Sequence, residues 1–153
     1  MQASTSAARA DTAAIARDLG LFLKRVLTTN NREFFEALQE AGISFTQLKC
    51  LGTLSEAGAP MSLGALSDEL ALSPAAVSRA VDGLVQRGEL RREEDPEDRR
   101  SKIVSLAAKG RATYDRSMAV RLAAVRSFVE DLEPQEREAL GSALHPIIER
   151  LSL

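Results

Sequence analysis

The sequence predicts a mainly α-helical chain with one small β-hairpin, and three observations predict it. Apolar residues recur at helical spacing along most of the 153 residues. Two short helical stretches, 62–70 and 73–87, are joined by a tight turn. Just beyond them, Leu90 to Glu93 and Lys102 to Leu106 read as paired strands across a polar, proline-containing loop. Helix, turn, helix and hairpin in that order spell a winged helix-turn-helix, whose second helix is shaped to enter a DNA groove.

Residues 1 to about 9 read as a disordered tail. Ile15, Leu19, Phe22, Leu23, Val26 and Leu27 then give a first long helix. A second, short helix over Arg32 to Glu40 carries Phe34, Phe35 and Leu38 and is ended by Gly42, a residue free to take positive φ. Ser44 caps a third helix, and Gln47 three residues on completes a capping box. Leu48, Leu51 and Leu54 line one face of it until Glu56-Ala57-Gly58-Ala59-Pro60 breaks the pattern.

Ser62 caps a fourth helix bearing Leu63, Leu66 and Leu70. After Ala71 and Leu72, Ser73 caps a fifth, with Pro74 at the first position, where a missing N–H costs nothing. Val77, Val81, Leu84 and Val85 form its buried stripe, and Gly88 ends it. Beyond the hairpin a long helix runs from about Ala108 to Leu132. Its Met118, Leu122, Val125, Val129 and Leu132 are spaced for packing on another helix. Pro134 opens a last helix with Leu140, Leu144, Ile147, Ile148 and Leu151, and Pro146 is expected to kink or weaken it.

Composition narrows the function classes. With 44% hydrophobic and 27% charged residues the chain is an ordinary globular protein, and no apolar run approaches the roughly 20 residues of a membrane span. The first residues lack the basic start and apolar core of a signal peptide, and a single cysteine excludes an intrachain disulfide; a cytoplasmic location is expected. A net charge of −2 runs against DNA binding, for which a basic domain is the simple expectation. Local fields matter more than totals, however, and Arg87, Arg91, Arg92, Arg99, Arg100 and Lys102 fall within one short segment. Glu93, Glu94, Asp95, Glu97 and Asp98 are interspersed with them and weaken the patch.

The functional residues follow from this layout. Ser73, Pro74, Ala75, Ala76, Ser78 and Arg79 occupy the first turns of the fifth helix, small or polar opposite its apolar stripe. Small residues allow close approach to base edges, Ala methyls can meet thymine methyls, and Arg79 can bridge guanine O6 and N7 or hold a phosphate. Arg87, Arg91, Arg92 and Lys102 are expected on phosphates, giving salt-dependent affinity. Arg99 and Arg100 sit at the hairpin tip, placed for a minor groove, with Asp98 to orient Arg100 or steady the loop. Capping residues in a core hairpin and an ordinary charged turn would explain the same residues one at a time; their order and spacing favour the DNA reading.

The stretch Asp98-Arg99-Arg100-Ser101-Lys102-Ile103-Val104-Ser105-Leu106-Ala107-Ala108-Lys109-Gly110 resembles the wing signature of the MarR family of bacterial regulators: Asp-x-Arg, a strand, then Leu-Thr-x-x-Gly. Leu66 to Arg79 is similar to that family's helix-turn-helix, and the resemblance covers roughly residues 12 to 151. It implies a homodimer whose first and last two helices interlock, with residues 44–108 as the reading lobe and 10–40 and 109–153 as dimerisation helices. It further implies a double-stranded, near-palindromic operator, with Arg100 as the minor-groove arginine and Ser73 to Arg79 as the base-reading turns. Repression relieved when a small phenolic or lipophilic effector, or an oxidant, shifts the lobes apart is the common mode that the resemblance implies, with no cofactor. Ala107 departs from the family's Thr and Ala71 from a frequent turn Gly; losing a cap costs about 0.5–2 kcal/mol.

Other residues invite less. Cys50 lies among Leu48, Leu51 and Leu54 and reads as a buried, inert thiol rather than a redox sensor. His145 is the only histidine, and no Cys/His/Asp cluster has metal-ligand spacing. Asp68/Glu69 and Glu93/Glu94 read as solvated charges, not catalytic dyads, and no phosphate-binding Gly loop is present. Arg25, Phe22, Phe34, Phe35 and Phe45 are candidates for an effector crevice, though Phe at helical spacing is core more often than pocket. The alternative to DNA reading is a winged-helix protein-interaction module; an enzyme is disfavoured because no nucleophile–base pair, metal cluster or cofactor loop can be named.

Overall fold

In the computed structural model, residues 11–28, 31–96 and 101–151 are described. The elements run α1 (Thr12–Thr28), α2 (Asn31–Ala41), α3 (Phe45–Ala57), β1 (Met61–Ser62), α4 (Leu63–Leu70), α5 (Pro74–Gln86), β2 (Leu90–Glu94), β3 (Lys102–Leu106), α6 (Ala108–Glu130) and α7 (Pro134–Leu151). The expected tail at residues 1–9 lies outside the described residues. Contacts divide the chain into two units, one holding the residues up to Asn31 and from Ala123 onward, the other Arg32–Leu122.

The second unit is built on leucine and valine from four helices, α2 to α5, and two strands, β2 and β3. Leu51, Leu66, Val77, Val81, Leu84 and Val104 are fully inaccessible, and Phe34 and Leu38 of α2 join the same core. Those two residues tie α2 to this lobe, and contacts group α6 up to Leu122 with it as well. The sheet is antiparallel in the order β1-β3-β2, Leu90 opposite Leu106 and Glu94 opposite Lys102. The two-residue β1, pairing Met61 with Val104, is too short to leave an alternation pattern and is the one strand the sequence does not announce.

Serines start the helices as their spacing foretells. Ser44 forms the full capping box with Gln47, and Ser62 and Ser73 accept from the N–H groups of Ala65 and Ala76. The helix ends use a device that local sequence does not show. The last carbonyls of a helix lack intrahelical donors, and here cations distant in sequence supply them. Arg87 donates to Ala41 O and Gly42 O at the end of α2. Lys49 Nζ donates to Leu70 O of α4 at 3.4 Å, and Lys109 Nζ to Arg87 O after α5 at 2.7 Å. A positive charge at a helix C-terminus also meets the negative end of its dipole.

Arg87 does more. Its guanidinium pairs with Glu89 at 2.9 Å, and Thr113 Oγ1 of α6 donates to the same carboxylate oxygen at 3.0 Å. Glu89 is 1% exposed. One buried carboxylate thus ties the end of α2, the turn into the wing and the first turns of α6. Gly110 permits the close approach: a Cβ there would run into the Glu89 backbone oxygen.

In the first unit Phe22 of α1 meets Phe128 of α6 edge-to-face, with centroids 5.3 Å apart. Arg137 caps α6 by donating to Val129 O, Glu130 O and Leu132 O. α7 runs unbroken through Pro146. The carbonyl one turn back, left without its donor, belongs to exposed Ser142, where water can satisfy it. No residue of α7 is buried, and Leu144, Ile147, Ile148 and Leu151 are 41–70% exposed. α1 shows Ile15, Leu19, Leu21 and Leu23 in the same condition, at 47–61%. No helix among the described residues is long and apolar enough to cross a membrane.

Candidate nucleic-acid interface

α4 and α5 meet through Ala71, which takes a left-handed conformation at φ 51°. Ser73 and Pro74 then set the first turn of α5. With Val77, Ala80, Val81 and Leu84 turned into the core, the opposite face presents Ser73, Pro74, Ala75 and Arg79 to solvent, with Ala76 and Ser78 half-buried beside them. Burial of one stripe therefore dictates which residues the helix offers outward. The Arg79 guanidinium is exposed and has no hydrogen bond or ion pair among the described residues. A hollow of about 370 Å³ beside it is lined by Ser44, Thr46, Gln47, Ala76, Arg79 and Ala80, bringing the start of α3 next to α5. The sequence reading did not connect α3 with this surface, because the adjacency arises from tertiary packing.

The wing cations divide. Arg91 is exposed on β2 and, like Arg79, unpaired among the described residues. Arg92 is held by Asp82 of α5 at 2.6 Å, and Lys102 by its cross-strand neighbour Glu94 at 3.1 Å. Arg87 departs from the expected phosphate contact: its guanidinium is spent on Ala41 O, Gly42 O and Glu89, facing the lobe interior. Asp98, Arg99 and Arg100 lie outside the described residues. Glu94 is one of the acids interspersed in the patch, whereas no sequence signal marks Glu89 or Asp82 as a partner. Alternation along the strand would place Glu89 on the exposed side with Arg91; the strand begins only at Leu90, so that rule does not reach it.

A second hollow, of about 290 Å³, opens between α2, α3 and α6, with Phe34, Phe45, Lys49, Tyr114, Met118 and Arg121 in its lining. Arg121 stacks over the Phe34 ring at 4.1 Å. Burial, and then the Glu56 and Asp115 carboxylates, push the Tyr114 hydroxyl above its ordinary range, so it stays protonated as a donor at neutral pH. Of the other aromatic candidates, Phe22 is taken by Phe128 and Phe35 stands half exposed against Phe34. Cys50 is inaccessible, and burial pushes its thiol up to about 11, the opposite of what a redox sensor needs. His145 is exposed and lies 3.3 Å from Glu149. Among the described residues no group of His, Cys, Asp or Glu could hold a metal ion.

Comparison with known proteins finds a family that this arrangement resembles. The model of the MarR family matches residues 41–101, the span from the end of α2 to the wing tip. The chain is 40% identical over 83 residues to the HTH-type transcriptional regulator YcgE of Bacillus subtilis, covering 54% of this chain; it spans about half the length of that relative, 53%. It is 24% identical over 119 residues to the HTH-type transcriptional repressor MdtR of the same organism, covering 78% of this chain and 76% of MdtR. In structure it is similar to the F27L mutant of Staphylococcus aureus MepR bound to an oligodeoxyribonucleotide, with a TM-score of 0.63, 18% identity, and coverage of 92% of this chain and 98% of that one. Helix order, three-stranded sheet and helix-turn-helix agree with the winged-helix fold of these proteins, and the winged part of the chain, residues 41–101, is similar to the MarR family of transcriptional regulators.

Proposed function

We propose that this protein is a cytoplasmic, homodimeric repressor that binds a near-palindromic operator in double-stranded DNA and is released by a small phenolic or lipophilic effector. Members of its family are transcriptional regulators, not enzymes. The observation that carries the reading is α5: its first turns are small, polar and exposed around an uncommitted Arg79, beside a wing. Ser73, Pro74, Ala75, Ala76, Ser78 and Arg79 read bases in the major groove, Arg91 holds a phosphate, and Arg100 of the Asp98-Arg99-Arg100 motif enters the minor groove. MepR in complex with an oligodeoxyribonucleotide and MdtR as a repressor support it by analogy of fold and sequence. The exposed apolar faces of α1 and α7 are the dimerisation surface, and paired lobes read half-sites roughly 34 Å apart. The hollow where Phe34, Phe45 and Met118 meet Tyr114 and the charged Lys49, Glu56 and Arg121 is the effector's seat, offering a ring-sized ligand both apolar contact and polar partners.

One observation favours a second reading, a protein-binding winged module: Arg92 and Lys102 are paired with acids and the net charge is −2. Polarisation titration against the duplex flanking its own gene, and a scrambled duplex, at two salt concentrations decides. Tight binding to the native duplex alone is expected. A verified folded dimer that binds neither duplex would instead support the protein-binding module.

A further inference from the structure

The face of the wing that continues the buried Leu90 and Val104 outward carries Arg92 and then the Glu94–Lys102 pair, by strand alternation and register. Both cations on that face have an acid as partner. Arg92 meets Asp82 of the reading helix at 2.6 Å, with side chains 30% and 47% exposed; Lys102 meets Glu94 at 3.1 Å, 47% and 63% exposed. Arg79 and Arg91, by contrast, have no such partner among the described residues. Half the cations of the described interface are therefore offset within ion-pair distance, and the offset is built into the elements that would touch DNA.

We propose that Asp82 and Glu94 are specificity-determining residues, which hold Arg92 and Lys102 in ion pairs and so withhold affinity from DNA of the wrong sequence. The proposal rests on the reading of the protein as a DNA-binding regulator. Exposed ion pairs are weak in water, so the carboxylates act as a screen rather than a lock, cancelling the cations' field well inside a Debye length. Non-specific binding is almost wholly electrostatic, and in that mode a freed cation can take any phosphate the duplex offers. In the operator complex α5 fixes the geometry, and the same cation gains only what happens to lie in reach. Asp82 has a further effect, since its bond to Arg92 joins α5 to β2 and sets the wing against the helix. Neutralising either acid should therefore help the wrong duplex more than the right one.

The test compares wild type, Asp82→Asn and Glu94→Gln on operator and scrambled duplexes over a salt series. Glu138→Gln, on exposed α7, is the control for the same unit change of net charge. On the scrambled duplex each wing variant should bind more tightly and steepen the log–log salt slope by about one, an extra loss of about 3.5-fold for a fourfold rise in salt. Operator affinity should rise less, narrowing the ratio of the two, and Glu138→Gln should keep the wild-type slope. Unchanged slopes in both wing variants, or an equal change in Glu138→Gln, would overturn the proposal. Glu94→Gln lies on an exposed strand and keeps the test open where Asp82→Asn disturbs the fold. A wild type that binds neither duplex would be a separate failure, of the DNA reading itself, visible before any variant is made.

Discussion

Two arginines eight residues apart show how context divides one chemistry into two jobs. Arg79 is exposed with no partner among the described residues, whereas Arg87 is spent on two carbonyls and a buried carboxylate. Arg79→Ala should weaken operator binding by about 1–3 kcal/mol, or roughly 5–150-fold, with the thermal midpoint unchanged. Arg87→Ala should do the reverse: stability falls by about 3 kcal/mol, because Glu89 is left buried without its counter-charge. Denaturant unfolding and polarisation on both variants check the contrast, and a pure DNA-binding defect in Arg87→Ala would return it to the interface. Cys50 offers a third test at this scale. Its folded value of about 11 exceeds the ordinary 9.0, so its contribution is fully present below pH 9 and is lost as pH rises towards 11. The stability difference between wild type and Cys50→Ala should shrink over that window, and the native thiol should resist labelling at pH 8.

At the scale of elements, glycines separate packing from propensity. Gly141 sits in exposed α7 with open space where a Cβ would go, while Gly110 in α6 lies against the Glu89 backbone. Gly141→Ala should stabilise by up to about 1 kcal/mol, as expected for Gly in a helix. Gly110→Ala should destabilise by about 1–3 kcal/mol, since overpacking there forces α6 from the wing. Equal shifts in the unfolding midpoints would mean that α6 and the Glu89 turn before β2 are not in the close contact described. The same division explains what could be read from the chain. Ser44, Ser62 and Ser73 start helices through bonds three residues long, so the capping signal was legible in sequence. The exposed side of α5 follows from its buried Val77–Val81–Leu84 stripe. The helix-end contacts of Arg87, Lys49 and Lys109 join residues 21 to 46 positions apart, and no local pattern encodes them. The Arg87 contacts and the Arg92–Asp82 pair are therefore invisible in sequence, whereas Glu94 stands among the acids interspersed in the patch.

For the molecule as a whole, the two units carry opposite surfaces. The winged unit closes its core on itself, with Leu66, Val77 and Val104 wholly inaccessible. In the terminal unit α7 buries nothing and leaves Leu144, Ile147, Ile148 and Leu151 in contact with solvent, while α1 exposes Ile15, Leu19, Leu21 and Leu23. Scattered apolar residues need no explanation, but apolar rows on two helices of one small unit mark an interaction surface. A second copy of the chain is the occupant that the family resemblance supplies, and a twofold pair of lobes is what a near-palindromic site requires. Ile148→Glu places a charge in the middle of the α7 row, where pairing would bury it. Sedimentation velocity should then show monomer at concentrations where wild type is dimer, with circular dichroism retaining the helical signal of the winged unit. Each monomer keeps its own reading helix, so binding to a single half-site should persist while affinity for the full operator drops by about 10²–10⁴-fold, the avidity of two linked sites. A variant that stays dimeric with full operator affinity would place the dimer surface elsewhere. Loss of half-site binding together with dimerisation would instead mean that the winged unit depends on the terminal helices for its fold, against the self-contained core that Leu66, Val77 and Val104 describe.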